Sequence, residues 1–261
     1  MSRKTTRSSV VVLVVATMLC AGCANYATPR RAADMSLFGV VTPEQRQHMT
    51  DAQIIRVMER QPLAAFPTGI AYVRVQEPGY RSYKTDSYGG GKYSVVLART
   101  VERDADIERL ANLPMVHGLA PMNRLLLPRQ FHDDKDLRQA AASLHADMVL
   151  IYTFDTAIRM GDNTSPLDVV TLGFLPHKRA RVTTTASAVL MDTRNGYVYG
   201  VAEASARHEQ PANTWTTSDA IDQSRRRTEA EAFERLVVEL ERTWLGVINE
   251  YALPPDVPSE S

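Results

Sequence analysis

The stretch Asp147-Met148-Val149-Leu150-Ile151-Tyr152-Thr153-Phe154-Asp155-Thr156 decides the fold of this chain. It is the densest short apolar run beyond the N-terminus, and it is rich in β-branched and aromatic residues. A run of this length and composition predicts a strand that is buried on both faces. The rest of the chain then has to supply the layers that cover it.

The segments around this strand predict a helix before it and a hairpin after it. Asp134–Ala146 carries an apolar stripe at helical spacing and leads directly into the strand. Arg179–Asp192 and Tyr197–Arg207 alternate in polarity around Arg194-Asn195-Gly196. A three-residue loop with a left-handed Gly196 pairs their small apolar faces with each other, and we predict that loop. The paired faces are Val182, Thr184, Ala186, Ala188 and Leu190, and Val198, Gly200, Ala202, Ala204 and Ala206. The opposite face is predicted to be solvated (Arg181, Thr183, Thr185, Glu203, Ser205).

Further helices and strands complete the expected layers. A helix is predicted from Thr42 to Pro62, with apolar residues Ile54, Ile55, Val57 and Met58. Strands are predicted at Gly69–Gln76, Tyr93–Val101 and Leu125–Leu127, and helices at Asp104–Asn112 and from Ser218 or Asp219 to about Tyr251. The last helix has an apolar stripe of Phe233, Leu236, Val237, Leu240, Trp244, Val247, Ile248 and Tyr251.

The pattern as a whole predicts an α+β or α/β fold. We expect a mixed β-sheet of about five to six strands covered by helices, with a C-terminal β-hairpin and a long C-terminal helix. The expected organisation is a signal peptide at 1–22, a lipidated tether at 23–41, one domain at 42–252 and a disordered tail at 253–261.

The N-terminus has the pattern of a secretory leader. Arg3, Lys4 and Arg7 precede an apolar segment, Ser8–Leu19, that is shorter than the roughly 20 residues a membrane-spanning helix needs. The next residues are Leu19-Cys20-Ala21-Gly22-Cys23. They resemble the lipobox of a bacterial lipoprotein precursor, with Cys20 where leucine is usual.

This resemblance implies cleavage before Cys23 and acylation of Cys23. It leaves open cleavage before Cys20, and an ordinary secretory cut near Ala21 or Ala24. Ala24 stands where inner-membrane lipoproteins carry aspartate, so the resemblance implies an outer-membrane location. We expect the chain to face the periplasm, with surface exposure as the alternative.

Charge and cysteine content exclude several classes of function. Removal of residues 1–22 takes away three basic groups and no acids, which leaves 27 Lys+Arg against 30 Asp+Glu. A chain with this balance lacks the strongly basic face that nucleic-acid binding needs. Acylation of Cys23 leaves no free cysteine, which excludes a disulfide framework and thiol chemistry. We expect no cofactor and no metal.

Two polar segments are candidates for contact or metal binding. The loop Pro78–Lys92 contains Tyr80, Arg81, Tyr83 and Tyr88, which suit a partner-contact surface; alternatively, the tyrosines pack on the adjacent strands. His132-Asp133-Asp134, with His145 further on, lies at a predicted helix start. Helix capping explains those acids better than a metal site does.

Two further sets of charged residues are candidates for a function. Asp155, Asp162 and Asp168 lie near the end of the central strand and are candidates for the carboxylate pair of a small hydrolase, although turn positions explain them as well. Arg225-Arg226-Arg227 is expected to be a solvated helix face, with phospholipid contact as the alternative.

Several segments together resemble one family. They are Pro121–Pro128, Leu144–Tyr152, Thr171–Pro176 and Gly196–Glu203. With the lipobox, they are similar to the rhombotarget lipoprotein family, which implies an envelope lipoprotein and an association with rhomboid-type sorting proteases. The resemblance carries over no catalytic residues.

The leading functional hypothesis is a non-enzymatic outer-membrane lipoprotein that binds another envelope protein. One alternative is a surface-displayed or secreted cargo linked to a rhomboid-type sorting protease. The other alternative is the small hydrolase that uses Asp155, Asp162 and Asp168.

Overall fold

A computed structural model describes residues 32–33, 50–80, 86–162, 178–211 and 218–252. The described helices are α1 (Asp51–Met58), α2 (Asp104–Ala111), α3 (Asp134–Ser143) and α4 (Ser218–Val247), which continues into a π-helical turn at Ile248–Ala252. The strands are β1 (Thr68–Gln76), β2 (Gly90–Gly91), β3 (Ser94–Val96), β4 (Val116–Pro121), β5 (Gln130–Phe131), β6 (Met148–Asp162), β7 (Lys178–Asp192) and β8 (Val198–Pro211).

Six of these strands form one mixed sheet, which confirms the expected fold class. Its order is β3-β1-β6-β7-β8, and β4 pairs with β1 on the same edge as β3. β1 is parallel to β6 and to β4, whereas the other pairs are antiparallel. The two short strands β2 and β5 form a separate parallel pair.

The central strand β6 is buried on both faces over its first five residues. Met148, Leu150 and Tyr152 point into a core shared with α4, while Val149 and Ile151 point into a second core shared with α3. All five are at most 5% exposed. The prediction of two buried faces is wrong beyond Tyr152, because the core under α3 takes only Val149 and Ile151 from β6.

The C-terminal helix covers the small-residue face of the hairpin, as predicted. Its predicted apolar stripe, from Phe233 to Ile248, is at most 8% exposed. Opposite it lie Ala186, Ala188, Ala202 and Ala206 in the same core. The helix approaches the sheet so closely that a Cβ atom on Gly200 would lie 2.4 Å from Cγ2 of Thr243.

The hairpin register confirms the pairing of like faces, but the predicted three-residue loop is wrong. Ala188 lies opposite Ala202. The loop has four residues, 193–196, and is closed by a 2.7 Å hydrogen bond from the Asp192 amide to the Tyr197 carbonyl. A bulge between Leu190 and Met191 shifts the pairing by one residue, so that like faces still pair beyond the four-residue loop. It turns Val198 away from the apolar face, where it is 46% exposed.

Two predicted elements differ from the structure, and one is described in part. Residues 125–127 are not a strand, because Asn123 caps a 3₁₀ turn at Arg124–Leu126 and leaves Leu125 93% exposed. The predicted strand at 93–101 contracts to β3. The predicted helix start at Thr42 lies outside the described residues; α1 begins at Asp51 after a capping box formed by Thr50 and Gln53. The apolar residues of α1 are exposed (Ile54, Ile55, Val57, Met58).

Substitution of Gly200 by alanine is expected to lower the free energy of unfolding by about 1–3 kcal/mol. The added methyl group would overpack the contact with Thr243, whose hydroxyl is held by a 2.9 Å hydrogen bond to the Glu239 carbonyl. Urea unfolding followed by circular dichroism measures the effect.

Gly246→Ala is the matched control for this prediction. Gly246 lies in α4, three residues after Thr243, with nothing within 4 Å of an added Cβ, so alanine there is expected to stabilise the protein by about 0.5–1 kcal/mol. Thr243→Ser removes the clashing methyl group and is expected to restore much of the loss in the Gly200→Ala background. A Gly200→Ala protein as stable as the wild type would contradict the close packing.

Candidate functional site

The proposed lipid attachment residue, Cys23, lies outside the described residues, but the chain ten residues later contacts the sheet. The amide of Ala33 donates a 3.1 Å hydrogen bond to Oγ1 of Thr153 on β6. Ten extended residues span at most about 36 Å, which bounds the distance between Cys23 and this face of the sheet. Within the described part of the chain, no helix is both long enough and apolar enough to span a bilayer.

The two described tyrosines of the proposed contact loop pack into the domain. Tyr80 is 2% exposed. Tyr88 is partly buried, pairs with Val95 and donates from its hydroxyl to the Leu127 carbonyl at 3.3 Å. Arg81 and Tyr83 lie outside the described residues, so contact between this loop and a partner stays a prediction.

The aspartates proposed for a hydrolase do not come together as a pair on the central strand. Asp155 and Asp162 both belong to β6, seven residues apart. At the rise of an extended strand their backbones are about 23 Å apart. Asp168 lies outside the described residues. The proposed pair of Asp155 with Asp162 is therefore wrong.

The acids near His132 cap a helix, as expected. Asp133 accepts a 2.9 Å hydrogen bond from the Lys135 amide at the start of α3. Asp136 accepts from the His132 amide at 2.6 Å. His145 lies beyond the other end of α3, a helix of ten residues and therefore about 15 Å long. Among the described residues, no group of three or more potential ligands could hold a metal ion.

A buried cluster of charges lies between the sheet and the first half of α4. Arg225, expected on a solvated face, is instead 1% exposed, and that expectation is wrong. Its guanidinium donates to both carboxylate oxygens of Glu229, at 2.7 and 2.6 Å, and to Asp222 at 2.7 Å. Acids three residues before and four residues after Arg225 share its helix face, so they compensate the charge locally.

Arg74 on β1 completes the cluster from the sheet side. It is 1% exposed and donates to Glu229 at 3.3 Å, while Glu102 lies 3.7 Å away. Its guanidinium carbon lies 4.4 Å from the centre of the Phe154 ring and 5.3 Å from that of Tyr80. The cation is thus held between two aromatic rings and two carboxylates.

The charges of this cluster balance. Arg226 also pairs with Asp222, at 3.0 Å. The cluster therefore contains three guanidiniums and three carboxylates (Arg74, Arg225, Arg226; Glu102, Asp222, Glu229). Burial lowers the pKa of Arg225, but Glu229, Tyr80 and Asp222 beside it together outweigh burial and raise that pKa above its ordinary value. The equal number of basic and acidic groups in this buried cluster suits a role in holding the fold.

A cleft of about 360 Å³ opens beside this cluster at the edge of β1. β3 pairs with residues 74–76 of β1 and β4 with residues 68–72, so the two neighbours diverge around Val73. Three arginines line the cleft: Arg74, Arg99 and Arg124. The other lining residues are polar or apolar, and none of those described is acidic (Tyr72, Val73, Val96, Leu97, Pro121, Met122, Asn123, Tyr152).

This cleft is not predictable from the sequence. Its residues come from segments 72–74, 96–99 and 121–124 and from Tyr152, which only the sheet topology brings together. The one signal in the sequence is Arg74, a charged residue inside an otherwise apolar strand. Such a residue in a buried strand has to find partners inside the fold.

Comparisons with known proteins establish no relative. No family model and no curated protein matches the sequence. A Caulobacter crescentus CB15 protein described as a "putative lipoprotein" shows 17% identity and a TM-score of 0.26, covering 46% of this chain and 84% of the other. A hypothetical protein from Chlamydia trachomatis shows 10% identity and a TM-score of 0.28, covering 67% and 95%. At these TM-scores neither likeness establishes a shared fold, and the resemblance to the rhombotarget lipoproteins stays a prediction.

Replacement of Arg225 by methionine is expected to lower the free energy of unfolding by about 3–5 kcal/mol, because it removes one partner from buried ion pairs. Asp222 and Glu229 are then left with one arginine each, Arg226 and Arg74 respectively. Denaturant unfolding measures the loss. Arg227→Met, two positions on, changes an exposed side chain and is expected to stay within about 0.5 kcal/mol of the wild type. Equal stabilities of the two variants would contradict the structural role of the cluster.

Stability is expected to fall as the pH rises past 10. Burial, and the carboxylate of Glu102 that accepts from its hydroxyl at 3.0 Å, raise the pKa of Tyr152 well above its ordinary value of 10.0. Above pH 10 the unfolded chain releases this proton while the folded chain retains it, so deprotonation favours unfolding. Thermal unfolding from neutral pH to beyond pH 10 is expected to show a shallower decline for Tyr152→Phe. An identical decline would exclude Tyr152 as a contributor.

Proposed function

We propose that this protein is a lipid-anchored protein of the bacterial outer membrane, facing the periplasm, and that it acts as a non-enzymatic binding module for another envelope protein. The observation that carries the proposal is Ala21-Gly22-Cys23, placed behind a basic and then apolar leader. Acylation of both the thiol and the new amine of Cys23 supplies more than one chain, which is what stable membrane attachment requires. Ala24 after the cysteine supports the outer membrane as the destination.

The use of charged groups in the fold supports binding over catalysis. Asp222, Glu102 and Glu229 neutralise the buried arginines, and Asp133 and Asp136 cap α3. Each of these acids already has a structural partner. A catalytic carboxylate, by contrast, has to face a substrate in a cleft.

The intact mass of the protein purified from membranes tests the anchor. We expect the mass of a chain that begins at Cys23 plus acyl groups, found in the outer-membrane fraction. Cys23→Ala is expected to remove the acyl mass and release the protein from the membrane. In the same cells, crosslinking before lysis is expected to join the wild-type chain to one recurring envelope protein.

Cys20→Ala is the matched control, because it changes the other cysteine of the leader. It is expected to leave both the mature mass and the membrane attachment unchanged. An acylated chain that begins at Cys20 would instead assign the anchor to the earlier cysteine. An unmodified mature chain in the soluble periplasm would overturn the proposed anchor.

A further inference from the structure

The cleft where β3 and β4 diverge along β1 has the composition of an anion-binding site. Arg74, Arg99 and Arg124 line it, and no described lining residue is acidic. Its volume of about 360 Å³ lies within the range typical of small-molecule sites. It lies at the carboxyl end of β4 and beside the carboxyl-terminal half of β1, two parallel strands. In open α/β sheets, ligands bind outside the carboxyl ends of strands.

The three arginines divide into one that serves the fold and two that are available to a ligand. Arg74 is buried and compensated by Glu229 and Glu102. Arg99 pairs with Asp104 at 3.1 Å, but the two side chains are 46% and 84% exposed, so solvent screens the pair. In the described part of the chain no carboxylate pairs with Arg124.

Arg124 has one aromatic neighbour that orients it. Its guanidinium carbon lies 5.5 Å from the centre of the Tyr88 ring. The ring therefore holds the side chain without neutralising its charge. A cation placed in this way at the rim of a cleft keeps its hydrogen-bond donors for a ligand.

The remaining polar groups of the cleft also donate. Asn123 uses Oδ1 to accept from the Leu125 amide, which leaves its Nδ2 hydrogens without a described partner. Burial raises the pKa of Tyr72 although Arg99 opposes this, so the phenol keeps its proton. A cleft rich in donors and without a carboxylate among its described lining residues suits carboxylate or phosphate oxygens, and guanidiniums bind both groups in bidentate fashion.

We propose that this cleft binds a small amphipathic organic anion. Arg99 and Arg124 hold its carboxylate or phosphate group, and its apolar part lies against Val96, Leu97 and Met122. The proposed anion site is independent of the lipid anchor and of any protein partner. A negative result for anion binding therefore leaves the proposed function untouched, and the reverse also holds.

Calorimetric titration of the full mature protein in a non-ionic detergent tests this proposal. The probes are benzoate and phenyl phosphate. Benzyl alcohol is the uncharged control compound, and inorganic phosphate is the control compound without an apolar part. We expect saturable binding of benzoate or phenyl phosphate at one site per chain, and weaker binding of both control compounds. Preference for benzoate would indicate a carboxylate ligand, and preference for phenyl phosphate a phosphate ester.

Arginine variants locate the binding. Arg99→Gln and Arg124→Gln are each expected to weaken binding about tenfold or more, which is the value of one hydrogen bond to a charged group. Arg242→Gln is the matched control, since Arg242 is 70% exposed and pairs with Glu239 on α4. Its affinity is expected to equal that of the wild type, and circular dichroism checks that all three variants are folded.

Three results would overturn the proposal. The first is no saturable heat from either organic anion. The second is binding of benzyl alcohol or inorganic phosphate as tight as that of the organic anions. The third is an equal loss of affinity in the Arg242→Gln protein.

Discussion

The pairing of two buried guanidiniums, Arg74 and Arg225, with the carboxylate of Glu229 is the constraint on which the rest of the structure depends. Burial of any one of these charges alone would cost several kcal/mol, so each requires the others. Because Arg74 belongs to β1 while Arg225 and Glu229 belong to α4, the pairing sets where the long helix crosses the sheet. Tyr80 accepts hydrogen bonds from both guanidiniums and ties the loop after β1 to the same point.

The two halves of α4 meet the sheet by different physical means. Its second half packs an apolar stripe on small residues, with the closest approach at Gly200. An apolar stripe alone would tolerate a slide of the helix by one turn, about 5.4 Å. Two hydrogen bonds run between the helix and the chain of β1 and its following loop: Arg74 to Glu229 at 3.3 Å, and Arg225 to the Tyr80 hydroxyl at 2.9 Å. Such a slide would break both. Apolar packing therefore supplies adhesion, and the charges supply the register.

Those parts of the fold that local periodicity governs were predictable from the sequence. The central strand follows from its continuous run of apolar residues. The stripe of α4 and the pairing of like hairpin faces follow from periods of 3.6 and two residues. The burial of Arg225 was not predicted, because three consecutive arginines are typical of a solvated face. The sequence feature that indicates burial is the presence of acids three residues before and four residues after it, at Asp222 and Glu229. The cleft was also unpredictable, since β3 and β4 form its walls by sharing one edge of β1.

The contact between Ala33 and Thr153 has a consequence for the choice of partner. With the proposed acyl groups on Cys23, a domain held this close to them would search for partners within a thin layer beside one membrane, largely by lateral diffusion. Within that layer its effective concentration toward neighbours in the same membrane is high, which lets weak contacts suffice. A partner anchored in the opposite membrane has to span the distance between the two membranes in order to bind.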